Sequence, residues 1–161
     1  MGKPTLFFIL CPFLLVLSVP SLTWEARVVS VADGDTITVE PIQGGDRAKV
    51  RLHGIDCPEM NQPYGQTAKA FVIEAVLFKE VDVQPSPQGK DRYGRIVAVI
   101  EIPGIGNLQE MLLSEGLAWV YSQYCRNCGE WEAIQDEAKK QRKGLWAGDK
   151  PVEPWEWRKR R

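Results

Sequence analysis

The sequence predicts an α+β domain built on a five-stranded β-barrel of the OB type that carries three α-helices. Three observations indicate this class. Alternating, β-branched runs come first in the chain, helical periodicities follow, and two further apolar strands are interleaved with the helices. That order is compatible with a small, partly open Greek-key barrel. Periodicity alone leaves other α+β arrangements open.

The first three strands are predicted from alternation and from the turns between them. Two β-branched runs, Arg27–Ala32 and Thr36–Ile42, are separated by Asp33-Gly34-Asp35, a strong hairpin signal. A second turn at Gly44-Gly45-Asp46 leads into a third strand, Ala48–Ile55. We therefore expect an antiparallel meander at the start of the domain.

The rest of the chain changes between helical and strand periodicity. Residues 68, 71, 72, 75 and 78 are apolar at helical spacing and predict an amphipathic helix of about four turns. Asn107 followed by Glu110 resembles a capping box at the start of a second helix. The remaining predicted elements are a strand at Val81–Gln84, a loop at Pro85–Gly89, a strand at Arg95–Ile102, a short apolar segment at Leu117–Tyr121 and a third helix at Glu130–Lys143.

The first 23 residues are predicted to be a secretory signal peptide. Lys3 precedes an apolar run, Leu6–Val19, and small residues follow near a cleavage point. The run is short for a bilayer span and contains Pro12; an uncleaved anchor is the alternative. We expect a monomer, exported to a periplasm or the medium without stable membrane association, with a domain at residues 24–147 and a tail at 148–161.

Charge limits how this chain can bind a polyanion. The chain has 20 Lys and Arg against 21 Asp and Glu, and the predicted signal peptide contains only Lys3, so the net charge of the remainder is close to −2. That balance does not suit nucleic-acid binding by bulk electrostatics, so local cations or a metal would be needed. The Trp155–Arg161 stretch is a local basic patch, interpreted as a solvated terminus. The tail as a whole is expected to wrap back onto the domain.

Three cysteines remain after the signal peptide, namely Cys57, Cys125 and Cys128. Export implies an oxidising compartment, where Cys125 and Cys128 can close a small disulfide loop. Cys57 is then expected to be a buried free thiol. A zinc site would need more ligands than this pair, and the βαβ pattern of a thioredoxin-like protein is absent.

Three polar stretches point to chemistry, at Asp33–Thr36, Arg51–Glu59 and Asp91–Arg95. In the second, Pro58 disfavours helix at the preceding residue and forces a turn that presents two carboxylates at a strand end. Each stretch alone is also compatible with an ordinary charged turn. Together they supply carboxylates for a divalent cation, two arginines for bidentate phosphate contacts and a carboxylate to handle water, which phosphodiester cleavage requires.

The ordered set of motifs resembles the staphylococcal nuclease, or thermonuclease, family. The resemblance extends over essentially the whole chain after the signal peptide, through Gly116-Leu117-Ala118 and Gly144-Leu145-Trp146. It implies a five-stranded OB barrel with three helices, and a calcium-dependent nuclease that cuts DNA and RNA to leave 3′-phosphates.

The resemblance also implies roles for the matching residues. Asp35 and Asp56 would bind Ca²⁺ through their carboxylates, and Cys57 would bind it through its backbone carbonyl. Two arginines would hold the scissile phosphate, and a glutamate would act as general base or orient the attacking water; these are Arg51, Arg95 and Glu59.

Three further residues are candidates for binding the rest of a substrate, which we expect to be DNA or RNA, preferably single-stranded. Arg92, Tyr93 and Tyr124 are the candidates for contacting a neighbouring phosphate and a stacked base. Packing in the core or at the rim is the alternative role for Tyr124.

One departure from the family pattern concerns the metal. Cys57 stands where the family pattern has threonine, so a thiol beside the metal could admit a softer ion such as Zn²⁺ or Mn²⁺. The alternative function is a non-catalytic OB-fold module that binds nucleic acid or protein. The presence of all five key side chains argues against it, as both arginines argue against a metal-binding structural domain.

Overall fold

The computed structural model describes residues 23–125 and 128–160. The predicted signal peptide, apart from Thr23, lies outside the described residues. Within the described ranges, no helix combines the length and the apolar character needed to cross a bilayer.

Five strands close into a barrel. The first three, β1 (Trp24–Val31), β2 (Thr36–Pro41) and β3 (Ala48–Leu52), form the expected antiparallel meander, and β1 also pairs with β5 (Glu80–Lys90). β5 pairs with β6 (Ile96–Ile102), and a parallel pairing of β3 with β6 closes the ring. The predicted OB-type barrel is confirmed.

Two short ribbons flank the barrel. β7 (Gly106–Asn107) pairs with β6, and β4 (Ile55–Asp56) pairs with β8 (Trp119–Val120). The predicted strand Ala48–Ile55 is therefore wrong at its end, because the chain turns at Gly54 with φ +70° before β4 begins. A Cβ at Gly54 would approach Cys125 Sγ and Trp131 to 2.8 Å, so only glycine fits this turn.

The loop predicted at Pro85–Gly89 is also wrong, because β5 continues to Lys90. β1 pairs with β5 only between Glu80 and Val83, and the pairing of β5 with β6 is irregular between Pro85 and Lys90. Proline is tolerated in this part of β5 because the strand is at the edge of the sheet and its pairing is irregular, so no partner needs the missing N–H.

The three predicted helices are present as α1 (Gly65–Val76), α2 (Leu108–Ser114) and α3 (Gly129–Lys140), the last ending before the predicted Lys143. At the start of α2, Asn107 Oδ1 accepts a hydrogen bond from Glu110 N at 3.1 Å, which confirms the predicted cap. A fourth, short helix, α4 (Pro154–Lys159), lies in the tail.

The barrel interior is filled by side chains from the strands and from α1. Val28, Ile37, Val50, Val72 and Ile100 are completely buried. Burial of such side chains contributes about 1.5 to 3 kcal/mol each relative to exposure, so this core fixes the strand ends at which the polar stretches lie. The structure also confirms the disulfide between Cys125 and Cys128, and a free, buried thiol at Cys57.

The tail packs against the domain, as expected. Gln62 Nε2 donates to the carbonyl oxygen of Val152 at 2.6 Å. The ring of Trp155 stacks on that of Tyr121 with centroids 4.9 Å apart and an interplanar angle of 6°. The interpretation of the basic patch as a solvated terminus is wrong at Arg158, whose guanidinium pairs with two carboxylates of the domain.

Candidate active site

One cleft of about 620 Å³ collects the three polar stretches. It lies where β2, β4 and β6 begin and where β3 ends, so residues distant in sequence meet there. All nine predicted site residues line it: Asp35, Arg51, Asp56, Cys57, Glu59, Arg92, Tyr93, Arg95 and Tyr124. The cleft is also lined by Tyr121 and Arg158, which the sequence analysis did not predict.

Arg51 lies between two carboxylates. Its Nη2 is 3.2 Å from Asp35 Oδ2 and 2.9 Å from Asp56 Oδ1, and its Nη1 donates to the carbonyl oxygen of Leu52 at 2.8 Å. Burial disfavours the charged guanidinium, but attraction to Asp35 and Asp56 outweighs it and raises the pKa of Arg51. The side chain therefore stays a cation and is held in one orientation by β3.

Asp56 is the most deeply buried acid of the cleft, with 2% of its side chain exposed. Burial raises the pKa of Asp56, and hydrogen bonds from Arg158 oppose that rise. Asp56 follows Ile55 in β4, whose pairing with β8 aims the carboxylate at Arg51. A buried carboxylate of this kind needs a positive partner.

Asp35 is fixed by its neighbours in the turn before β2. Its Oδ2 accepts from the Cys57 N–H at 3.0 Å, and its Oδ1 accepts from Thr36 Oγ1 at 3.2 Å. The Cys57 thiol donates to the carbonyl oxygen of Gly34 at 3.2 Å, and burial raises the pKa of Cys57 well above its usual range. The thiol is thus protonated and bonded to a backbone carbonyl, and its influence on metal preference stays a prediction.

The donor set fits a hard cation such as Ca²⁺. The carboxylates of Asp35 and Asp56 converge on one nitrogen of Arg51, and both offer oxygen ligands. Within residues 23–125 and 128–160, no three His, Cys, Asp or Glu side chains are grouped to hold a metal. A cation here would therefore take two carboxylates and the Cys57 carbonyl from the protein, and its other ligands from water or substrate.

Arg95 is oriented by Asp91, four residues earlier. Its Nε donates to Asp91 Oδ2 at 2.7 Å and its Nη1 donates to Thr36 Oγ1 at 3.1 Å. Asp91 Oδ1 also accepts from the N–H groups of Tyr93 and Arg95 at 2.9 Å. Burial opposes ionisation of Asp91, but these bonds outweigh it and lower its pKa. The sequence analysis did not predict the positioning role of Asp91, although this residue begins the polar stretch Asp91–Arg95.

Exposed aromatic rings surround the mouth of the cleft. Tyr93 is 69% exposed and its hydroxyl accepts from Arg92 Nη2 at 2.7 Å. Tyr124 is 48% exposed and its ring lies 4.9 Å from that of Tyr121. Tyr121 was missed because it closes an apolar run, where an aromatic residue indicates core as readily as a binding surface.

Glu59 meets a cation from the other end of the chain. Arg158 Nη1 is 2.8 Å from Glu59 Oε1, and Arg158 Nη2 is 2.7 Å from Asp56 Oδ2. The backbone N–H of Glu59 donates to Gln62 Oε1 at 3.1 Å. No pattern in the sequence distinguishes Arg158 from its basic neighbours in the tail.

A neighbouring acid gives the site a testable pH dependence. Burial, together with repulsion from the Asp35 carboxylate, raises the pKa of Asp33 to about 6. The folded protein then binds this proton more tightly than the unfolded chain, so stability falls as pH rises from about 4 to 6. We expect Asp33→Asn to raise the free energy of unfolding by about 1 to 3 kcal/mol at pH 7.5 in EDTA. Below about pH 4 the same substitution should leave the free energy of unfolding unchanged. Urea unfolding across this pH range measures it.

The exposed Asp46→Asn substitution is the matched control, since it removes one acid outside this cluster. A gain in stability for Asp33→Asn that did not change with pH would contradict the assignment of the proton to Asp33.

Comparison with known proteins places these residues in context. The family model described as "Staphylococcal nuclease homologue" matches residues 49–148. An Escherichia coli protein named "Uncharacterized endonuclease" is 38% identical over 137 residues, which cover 85% of this chain and 86% of that protein. A Shigella flexneri protein named "Micrococcal nuclease" is 34% identical over 155 residues, which cover 90% of this chain and 87% of that protein.

A plant protein matches over a shorter range. "Staphylococcal-like nuclease CAN1" of Arabidopsis thaliana is 42% identical over 113 residues, which cover 69% of this chain and 33% of that protein.

Proposed function

Since the chain belongs to the family of staphylococcal nuclease homologues, we propose that it is an exported, monomeric, calcium-dependent nuclease. It hydrolyses phosphodiester bonds of DNA and RNA, preferably in single strands, and leaves 3′-phosphates. The nuclease function has support from relatives named as endonucleases and nucleases. The main structural support is that two carboxylates, two arginines and Glu59 meet in one cleft.

The proposed reaction divides the work among these side chains. Ca²⁺, when bound by Asp35 and Asp56, supplies positive charge beside the phosphate. The two arginines stabilise the charge that grows on the phosphoryl oxygens, where planar donors are most effective. Asp91 orients Arg95, and the carboxylates of Asp35 and Asp56 orient Arg51. This orientation reduces the reorganisation needed to reach the transition state.

Glu59 takes a proton from the attacking water as the new P–O bond forms. The bond from phosphorus to the 5′-oxygen then breaks, which leaves a 3′-phosphate and a 5′-hydroxyl. The departing oxygen receives its proton from water, because the raised pKa of Arg51 makes that guanidinium a poor donor.

A basic groove beside the cleft supports a polynucleotide substrate. This groove, of about 340 Å³, is lined by Arg47, Lys49 and Lys90 with one acid, Asp46, and it shares Lys90, Tyr93 and Arg95 with the cleft. An acidic protein needs such a local concentration of cations to bind a polyanion. The groove would hold phosphates that flank the scissile one.

Metal removal tests the proposal. We expect the purified chain to degrade single-stranded DNA and RNA in Ca²⁺, to stop in EGTA, and to recover when Ca²⁺ is returned in excess. Labelling of product ends with and without prior phosphatase treatment identifies the 3′-phosphate. Parallel reactions with Mn²⁺ and Zn²⁺ test the preference for a hard cation.

Two outcomes would contradict this proposal. Cleavage that persists in EGTA would remove the calcium requirement. Binding of single-stranded DNA with no cleavage under any of the three ions would favour the non-catalytic binding module.

A further inference from the structure

Arg158 lies beside the carboxylates of Asp56 and Glu59 in the cleft. It lies outside residues 49–148, so the family match assigns it no role. Its guanidinium makes two short ion pairs, at 2.7 Å with Asp56 and at 2.8 Å with Glu59. A second, longer contact of 3.4 Å joins Nη1 to Asp56 Oδ1. One arginine of the tail thus neutralises a carboxylate expected to bind the metal and the carboxylate expected to handle water.

These contacts compete with a divalent cation for Asp56. Both oxygens of Asp56 are engaged, Oδ1 by Arg51 at 2.9 Å and Oδ2 by Arg158 at 2.7 Å. A cation bound to this carboxylate would lie beside two guanidinium groups of the same sign. Like charges at such short range repel, and more strongly beside the buried Asp56 carboxylate than in bulk water. This repulsion favours the withdrawal of one of the two arginines when the metal binds.

Arg158 is the one that can leave. The side chain of Arg51 is 14% exposed, belongs to β3 and also donates to the Leu52 carbonyl, whereas the side chain of Arg158 is 42% exposed. The tail that carries α4 is held independently, by the Trp155 ring on Tyr121 and by the bond from Gln62 to Val152. The Arg158 side chain can then swing out while the helix stays docked.

We propose that Arg158 is a further active-site residue, which competes with the divalent cation for Asp56 and so sets the affinity of the site for the metal. This inference rests on the proposed metal-dependent function. In the absence of metal, Arg158 keeps the buried carboxylate paired. When the cation binds, Arg158 is released toward solvent and Glu59 is freed to accept a proton.

Calorimetric titration of Ca²⁺ into the full chain tests the competition without measuring activity. A ligand's apparent Kd is its intrinsic Kd divided by the fraction of the protein that is competent to bind it. Because Arg158→Gln removes the competitor and raises that fraction, we expect it to tighten the Kd by about tenfold. Arg158→Lys keeps a cation at this place and is expected to restore the Kd to within about threefold of the original. Arg160→Gln, with the same charge change on an exposed side chain of the tail, is the matched control and is expected to leave the Kd unchanged.

The outcomes separate this inference from the proposed function. Equal Kd values for Arg158→Gln and Arg160→Gln, or weaker binding in Arg158→Gln, would overturn the competition while the metal site stands. Absence of Ca²⁺ binding in both the unchanged chain and Arg158→Gln would overturn the metal-dependent function, and the inference with it. Binding only after Arg158→Gln would support the inference most directly. Thermal unfolding of each variant confirms that the fold is retained.

Discussion

Replacing Glu59 by glutamine is expected to lower kcat by a factor of about 100 to 10,000, the usual contribution of a general base. Glutamine keeps the shape of the side chain and an oxygen that can accept from Arg158 Nη1, which lies 2.8 Å from Glu59 Oε1. The substitution removes only the ability to take a proton. Steady-state cleavage of a short single-stranded oligonucleotide in Ca²⁺ measures the loss.

Two controls make the Glu59 result specific. Thermal stability should be nearly unchanged, and Ca²⁺ affinity should not weaken, since Asp35 and Asp56 are untouched and the loss of the Glu59 charge only loosens Arg158. Glu74→Gln, on an exposed face of α1, removes an equivalent carboxylate outside the cleft and should retain full turnover. Turnover of Glu59→Gln equal to that of Glu74→Gln would eliminate Glu59 as the base.

Arg95→Lys is expected to reduce kcat/KM by a factor of about 100 to 1,000, the scale of losing one preorganised donor to transition-state charge. Arg95 lines the cleft, and it donates hydrogen bonds from Nε to Asp91 and from Nη1 to Thr36. A lysine has a single nitrogen and cannot keep both orienting bonds and a bidentate phosphate contact. The charge alone is therefore insufficient. Initial rates over a range of substrate concentrations measure the effect.

Arg92→Lys is the matched control for this result. It makes the same exchange on the same turn, at an exposed side chain that donates to the Tyr93 hydroxyl. We expect a rise in KM of less than about tenfold and little change in kcat, as for a contact that is equal in ground and transition states. Near-normal kcat/KM for Arg95→Lys would show that the bidentate phosphate contact of the Arg95 guanidinium is not needed.

The barrel was predictable because local signals and tertiary pairing agree. Asp33-Gly34-Asp35 closes the hairpin between β1 and β2, and the opposition of Thr36 and Arg51 in the ladder then brings Asp35 beside Arg51. The turn forced by Pro58 was enough to predict that Asp56 and Glu59 face the same region. Residues that a strand and a turn position locally could thus be identified from the sequence.

Other features depend on contacts that no local pattern encodes. The chain through Pro85 and Pro87 is composed like a loop, and it extends as strand only because β6 lies beside it. Arg158 meets Asp56 across 102 residues of sequence, and the tail around it contains several other cations. The stacking of Trp155 on Tyr121 positions α4 so that Arg158 is the cation that reaches the cleft. Such a choice is made by packing and not by periodicity.

The buried thiol of Cys57 makes the turn proposed to bind the metal observable in solution. With Cys125 and Cys128 joined, Cys57 is the one free thiol among the described residues, and it is hydrogen-bonded to Gly34 beside Asp35. A thiol reagent can modify it only when this turn opens, so the rate of modification reports the free energy of that opening. A cation bound at Asp35 and Asp56 would tie the turn closed and slow the modification. The residue that departs from the family pattern thereby provides an intrinsic probe of local opening in the unlabelled protein.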